Sequence, residues 1–337
     1  MVFRSTGRAG WQHASTVGYS VGSIVVNDRQ SAEPSGSDRF ASFRRRYPVT
    51  IFNDNRCALG EGPAWDRLSK SLLWVDIKGK KVFAATADGV ITNSWSTSAQ
   101  PSAVILAHSE RKLVTAGQEV LELCSVSGET KSYVQLLGEP SFNRCNDAKC
   151  DPMGNLWVGT MDDREKERTG RLRRIGSNGE EKVFLDGIGV ANTLAWDTVR
   201  GRFYFADSVI GDLYVFDYDL TNAQIEGRRV FLSRDDAPGV PDGSAIDEDG
   251  YLWNARWDGG CVIRVSPDGE VDCIVEVPAL RPTSCAFGGK DMKTLYVTSA
   301  ATDSSAPADS ADMGGAVFSI EVDVAGSRIP PYQGGVA

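Results

Sequence analysis

The stretch Pro241-Asp242-Gly243-Ser244-Ala245-Ile246-Asp247-Glu248-Asp249-Gly250-Tyr251-Leu252-Trp253 holds an acidic residue opening a short strand, a tight turn, and a second strand anchored by an aromatic. The chain repeats that grammar. Eleven to thirteen positions before each anchor stands a polar residue: Glu61 before Trp74, Ser102 before Leu113, Asn146 before Trp157, Asn192 before Tyr204, Asp242 before Trp253 and Ser284 before Tyr296. That spacing fits a hairpin of two short strands. If each hairpin is the inner half of a propeller blade, the six polar residues share one register and face one central channel.

Working outward, each hairpin is followed by further strand-like runs. Leu72–Asp76, Val82–Ala85 and Val90–Thr92 complete the first unit, and Lys112–Thr115, Val120–Leu123 and Tyr133–Leu136 the second. Units of roughly 40 to 50 residues, with no 3.6-residue periodicity, match propeller blades rather than a helical solenoid. The expected fold is all-β: a six-bladed β-propeller with four-stranded blades. The sixth unit lacks an outermost strand, and Val49-Thr50-Ile51-Phe52 is available to close the ring and protect its edge. Residues 1–46, rich in Gly, Ser and Arg, are expected to form a flexible or loosely docked extension, leaving residues 47–337 as the propeller. Insertions at 162–170 and 301–315 fall on the face carrying Glu61, Asn192 and Asp242, where a rim or lid would be.

Bulk properties narrow the partners. A net charge of −9 argues against nucleic acid, whose phosphates demand clustered Lys and Arg. No apolar run is long enough to cross a bilayer, so no membrane partner is expected. The seven cysteines form no CxxC pair, and buried free thiols in a reducing cytoplasm are the expectation. The oligomeric state is not legible. Neither His13 nor His108 lies in the channel register, and no Gly-x-Ser-x-Gly segment occurs, which argues against a Ser-His-Asp hydrolase. Asp207 and Trp257 are expected near the mouth, as a turn acceptor and a rim aromatic.

Glu61, Asn192 and Asp242 would bring oxygen ligands from three blades to one axis. Such a set suits Ca²⁺, Mg²⁺ or Mn²⁺ and leaves positions open for water and substrate. The alternative is that polar residues merely solvate a water-filled channel. Against it, two carboxylates near one axis repel each other unless a cation or a donor compensates.

Four segments, Gly60-Glu61-Gly62-Pro63, Arg144-Cys145-Asn146-Asp147, Ala191-Asn192-Thr193-Leu194-Ala195-Trp196 and Pro241-Asp242-Gly243-Ser244, resemble the signatures of the gluconolactonase and senescence marker protein family. That family includes sugar lactonases and luciferin-regenerating-like proteins. The resemblance runs from about Asn55 to Asp323 and implies a six-bladed propeller. It implies that Glu61, Asn192 and Asp242 ligate one divalent cation, Ca²⁺ first, with Mg²⁺, Mn²⁺ or Zn²⁺ as alternatives. It further implies that Arg144 and Asn146 bind substrate. The chain departs at Thr193, where the family often has Gly, and near Arg164 and Glu165, where a substrate-contacting Glu of some members has no clean match.

The implied activity is a metal-dependent opening of a small sugar (aldono-) lactone to its aldonic acid. The metal would polarise the carbonyl and Asp242 would act as general base. Two alternatives stand: an organophosphate or non-sugar lactone hydrolase on the same scaffold, and a non-catalytic interaction propeller. Arg144 could equally form an ordinary ion pair with a neighbour such as Asp147.

Overall fold

A computed structural model describes residues 40–45, 47–302 and 312–335. Residues 1–39 and Arg46, most of the expected extension together with His13, lie outside the described residues, as do 303–311 of the second insertion. Residues 40–45 run beside the outer strand of blade 5: Arg45 N donates to Ile274 O at 3.0 Å, and its guanidinium pairs with Asp272 at 3.2 Å.

Six four-stranded antiparallel sheets make up the propeller. Their inner strands are Gly60–Asp66, Pro101–Leu106, Asn143–Cys150, Ala191–Asp197, Val240–Ile246 and Pro282–Gly288, for blades 1 to 6. Each inner strand touches the next, and blade 6 touches blade 1. The N-terminal strand Val49–Asn53 pairs with Val317–Glu321 as the outermost strand of blade 6, so the chain closes its own ring as its sequence predicts.

Apolar faces of neighbouring blades form six separate cores, one at each junction. The aromatic anchors sit inside them, and Trp74, Trp157 and Trp253 are at most 1 % exposed. A buried indole N–H usually finds an acceptor. In blades 3 and 5 the hairpin turn supplies it: Trp157 Nε1 donates to Asp151 at 2.8 Å and Trp253 Nε1 to Asp247 at 3.0 Å. The other oxygen of each aspartate accepts backbone N–H groups of its turn. One carboxylate therefore fixes both turn and anchor, which is why the repeat reads as Asp, Gly, aromatic.

Every inner strand breaks register where its channel residue lies. In blades 1, 3, 4 and 5 two residues go unmatched, Gly62–Pro63, Asn146–Asp147, Thr193–Leu194 and Asp242–Gly243. Blades 2 and 6 leave only Ser102 and Thr283 unmatched. Bulges re-aim side chains that strict alternation would send into the sheet. The four wide bulges are in the blades that carry the acid and amide groups.

Candidate active site at the channel mouth

The structure brings most of the expected residues into one hydrogen-bonded row. Arg144 Nη1 donates to Asn146 Oδ1 at 2.8 Å, and Asn146 Nδ2 donates to Asn192 Oδ1 at 2.9 Å. Asn192 Nδ2 donates to Ser208 Oγ at 2.9 Å, and Ser208 Oγ donates to Pro241 O at 2.6 Å. The direction is forced: a carbonyl can only accept, so the single Ser208 proton goes to Pro241 and its oxygen must accept from Asn192. That fixes the Asn192 amide with its oxygen away from Ser208. The row ends on the residue before Asp242, spanning blades 3, 4 and 5.

Glu61 reaches the same place from blade 1. It is half-buried, and its Oε2 accepts from Gly62 N at 2.9 Å. Burial and then the nearby charge of Asp147 push its carboxyl up to about 8. Asp242 is 6 % exposed and held well above the ordinary carboxylate range, by burial first and then by Glu61 and Asp147. Its Oδ1 is buried with no hydrogen-bond partner among the described residues. An orphaned carboxylate oxygen beside a second carboxylate is unfavourable without a compensating cation. Among the described residues no three His, Cys, Asp or Glu side chains gather into a metal cluster. The candidate set is instead two carboxylates and one amide oxygen, all hard donors, and fits a hard divalent ion.

The backbone around Asp242 is held separately. Thr193 Oγ1 donates to Asp242 O, and Asn254 Nδ2 donates to the same carbonyl at 2.8 Å. Arg256, 1 % exposed, donates to Asn254 Oδ1 at 2.9 Å. Burial pulls the Arg256 guanidinium down to about 10.

Several site residues are not in the predicted set. Asp147 is a third carboxyl at the site and is buried, raised by that burial and drawn back by Lys149 and by the N–H of Leu194, 3.2 Å away. Lys149 donates to Ser244 O across the channel. The available signal was two charged residues within an innermost strand, which has only the channel to put them in. Arg144 also corrects its suggested partner. Its Nε pairs at 2.7 Å with Asp163 of the insertion, not with Asp147.

The first insertion is a fixed rim. Asp162 caps it by accepting the N–H groups of Arg164 and Glu167 at 2.9 and 3.0 Å. Arg168 bridges to Asp207 of blade 4 at 2.9 Å. Asp207 also accepts the backbone N–H of Gly189, Val190 and Val209, so it is a turn acceptor. Trp257 is half-exposed with the Arg281 guanidinium 4.9 Å from its ring centre. Arg164 lies over the Phe142 ring, 3.5 Å from its centre, and does not take the place of a substrate carboxylate. All seven cysteines are free, and Cys124, expected to be buried, is exposed.

A cavity of about 920 Å³ opens at the opposite end of the channel. Trp65, Val104, Trp196, Phe287 and Ile329 give it apolar walls, and Gly62, Asp147, Lys149 and Ser284 line its inner end toward the site. The C-terminal segment crosses this end, Ser327 N donating to Ile246 O and Tyr332 N to Leu106 O, each at 2.8 Å.

A six-bladed ring with an acid and amide cluster at one mouth and a guanidinium beside it defines a propeller of the sugar lactonase type. The chain belongs to the SMP-30/gluconolactonase/LRE-like family, whose model matches residues 59–301. It is 32 % identical over 300 residues to the pentonolactonase XacC of Haloferax volcanii, covering 86 % of this chain and 98 % of that one. It is 35 % identical over 258 residues to regucalcin of Gallus gallus, covering 75 % and 86 %. Among solved structures, regucalcin of Agrobacterium tumefaciens, described as a calcium-binding protein, superposes with a TM-score of 0.80 at 26 % identity over 85 % of this chain and 97 % of that one. A luciferin-regenerating enzyme gives 0.77 at 28 % identity over 86 % and 99 %.

Proposed function

We propose that the chain hydrolyses small sugar (aldono-) lactones and that it requires one divalent cation held by Glu61, Asn192 and Asp242. The observation that carries this reading is the pair of carboxyls, Glu61 half-buried and Asp242 buried, each raised and the second with an orphaned oxygen. The relatives named pentonolactonase and putative sugar lactone lactonase support the substrate class, and the calcium-binding regucalcin supports Ca²⁺ ahead of Mg²⁺, Mn²⁺ or Zn²⁺. The free thiols support a reducing, cytoplasmic setting.

When bound, such an ion supplies Lewis-acid polarisation of a carbonyl and neutralises the carboxylates around it. The chain's own residues do the rest. Arg144 Nη2 has no protein partner among the described residues, because Nε and Nη1 are already engaged. It donates to a substrate hydroxyl. The Asp242 carboxylate takes the proton of the water whose oxygen attacks the lactone carbonyl carbon. As the ring C–O bond breaks, the same carboxyl returns the proton to the departing alkoxide, so the product is the open hydroxy acid. Asn146 keeps the Asn192 oxygen turned away from Ser208 throughout.

A pH-release assay on a lactone panel, with and without chelator, tests the reading. Replacing Asp242 with Asn should lower kcat by ~10²-fold or more, the range of general-base contributions. Full turnover in chelator, or by Asp242→Asn, would overturn it.

A further inference from the structure

Three blades converge on one carboxylate that the family signatures do not include. Asp163 Oδ1 accepts from Arg144 Nε at 2.7 Å and from Lys78 Nζ at 2.9 Å. Its Oδ2 accepts from Gln100 Nε2 at 3.1 Å. Lys78 lies in a hairpin of blade 1, Gln100 just before the inner strand of blade 2, and Arg144 in the inner strand of blade 3. The backbone is held too, with Asp163 N donating to Phe142 O at 3.0 Å.

A guanidinium is a planar fork, so two fixed nitrogens fix the third. Arg144 Nε is held by Asp163, and Nη1 by Cys145 O and Asn146 Oδ1 at 2.9 and 2.8 Å. The side chain is only 7 % exposed, yet among the described residues Nη2 has no partner and is not one of the buried orphaned atoms. The one edge left to solvent is therefore aimed by its two neighbours. Asn146 sets the inner side of that aim and Asp163 the outer side.

We propose that Asp163 is the positioning residue for substrate recognition: braced by Lys78 and Gln100, it orients Arg144 Nη2 toward a ring hydroxyl of the lactone. This rests on the lactonase reading of the site. It makes the short first insertion a specificity element that acts on Arg144 from outside, rather than through a carboxylate of its own placed on the substrate.

The test compares the parent, Asp163→Asn and the exposed loop control Lys166→Ala on D-xylono-1,4-lactone. Calorimetric titration with 1,4-anhydro-D-xylitol, a cyclic polyol without the reacting carbonyl, runs alongside. Asp163→Asn should raise KM, and the Kd for the polyol, by ~10- to 100-fold while kcat stays within about threefold, as misaiming a charged hydrogen bond in binding predicts. Asp163→Glu should recover part of the affinity, and Lys166→Ala should match the parent. Unchanged polyol affinity in a folded Asp163→Asn protein would overturn the proposal, as would a fall in kcat at constant KM. Polyol binding that depends on Asp163 in a parent that turns over no lactone would sustain the positioning role and defeat the lactonase reading instead.

Discussion

Blades 1 and 4 stand three places apart in the ring and make the same kink in two ways. Each places its channel residue before a backbone position in the left-handed region, Gly62 at φ +53° after Glu61 and Thr193 at φ +61° after Asn192. Blade 1 reaches that conformation by having no side chain. A Cβ on Gly62 would lie 2.6 Å from Ala103 Cα and 2.7 Å from Ser102 O, so blade 2 packs against the bare backbone. Blade 4 reaches it with a β-branched residue, for which left-handed backbone costs about 1–2 kcal/mol. Thr193 is fully buried, and its hydroxyl is tied to Asp242 O and to the Asn254 amide. The kink in blade 1 rests on bare backbone packed against blade 2, whereas the one in blade 4 is held by hydrogen bonds to its neighbour's inner strand. Strain at such a position persists only where the surroundings over-determine it.

That contrast can be broken most forcefully at Gly62. Gly62→Ala combines left-handed strain with a backbone clash and should cost about 3 kcal/mol, adding overpacking to strain. Denaturant unfolding would read the loss, and calorimetry should show cation affinity falling with it. Parent-like stability would mean that blade 1 does not need the bare backbone.

Next comes pH, which acts on Glu61 and Asp242 together. The Glu61 carboxyl is pushed up to about 8 from an ordinary 4.5, so the folded state holds more protons than the unfolded chain across that window. Stability of the chelator-treated protein should therefore fall as pH rises from about 4.5 to 8. Saturating Ca²⁺ should flatten the slope, because a bound cation favours the charged carboxylates. A thermal melt at pH 5 and at pH 8, with and without Ca²⁺, reads both. Rising stability over that range without cation would contradict the raised Glu61 carboxyl.

The smallest effects belong to Thr193. Thr193→Val keeps the strain and loses the hydroxyl, and should cost about 1–2 kcal/mol for the lost buried hydrogen bond. Thr193→Gly loses both and should be near neutral in stability, yet still weaken cation binding by freeing the Asp242 backbone. Equal cation affinity in parent and Thr193→Gly would mean that the tether is structural only.

The fold was legible because its repeat is written in residues that cannot be elsewhere: Asp151 with Trp157 and Asp247 with Trp253 form turn and anchor at a fixed spacing. The channel register was legible for the same reason, one polar residue per inner strand. Asp147 and Lys149 were not singled out, since strict alternation cannot put Asn146 and Asp147 both in the channel, and only the bulge does so. The Asp163 junction was beyond reach because Lys78 and Asp163 are 85 residues apart and meet only after three blades have closed. Motif reading finds the polar residues on strands. It does not find the loop residues that aim them.

The claim on which the rest depends is that three blades share one cation. Diffraction from crystals soaked in Mn²⁺, measured for anomalous scattering, tests it most directly. The account predicts one strong peak within about 2.0–2.6 Å of oxygens of Glu61, Asn192 and Asp242, as hard divalent ions require. A peak elsewhere in the ring, or none at saturating Mn²⁺, would contradict it.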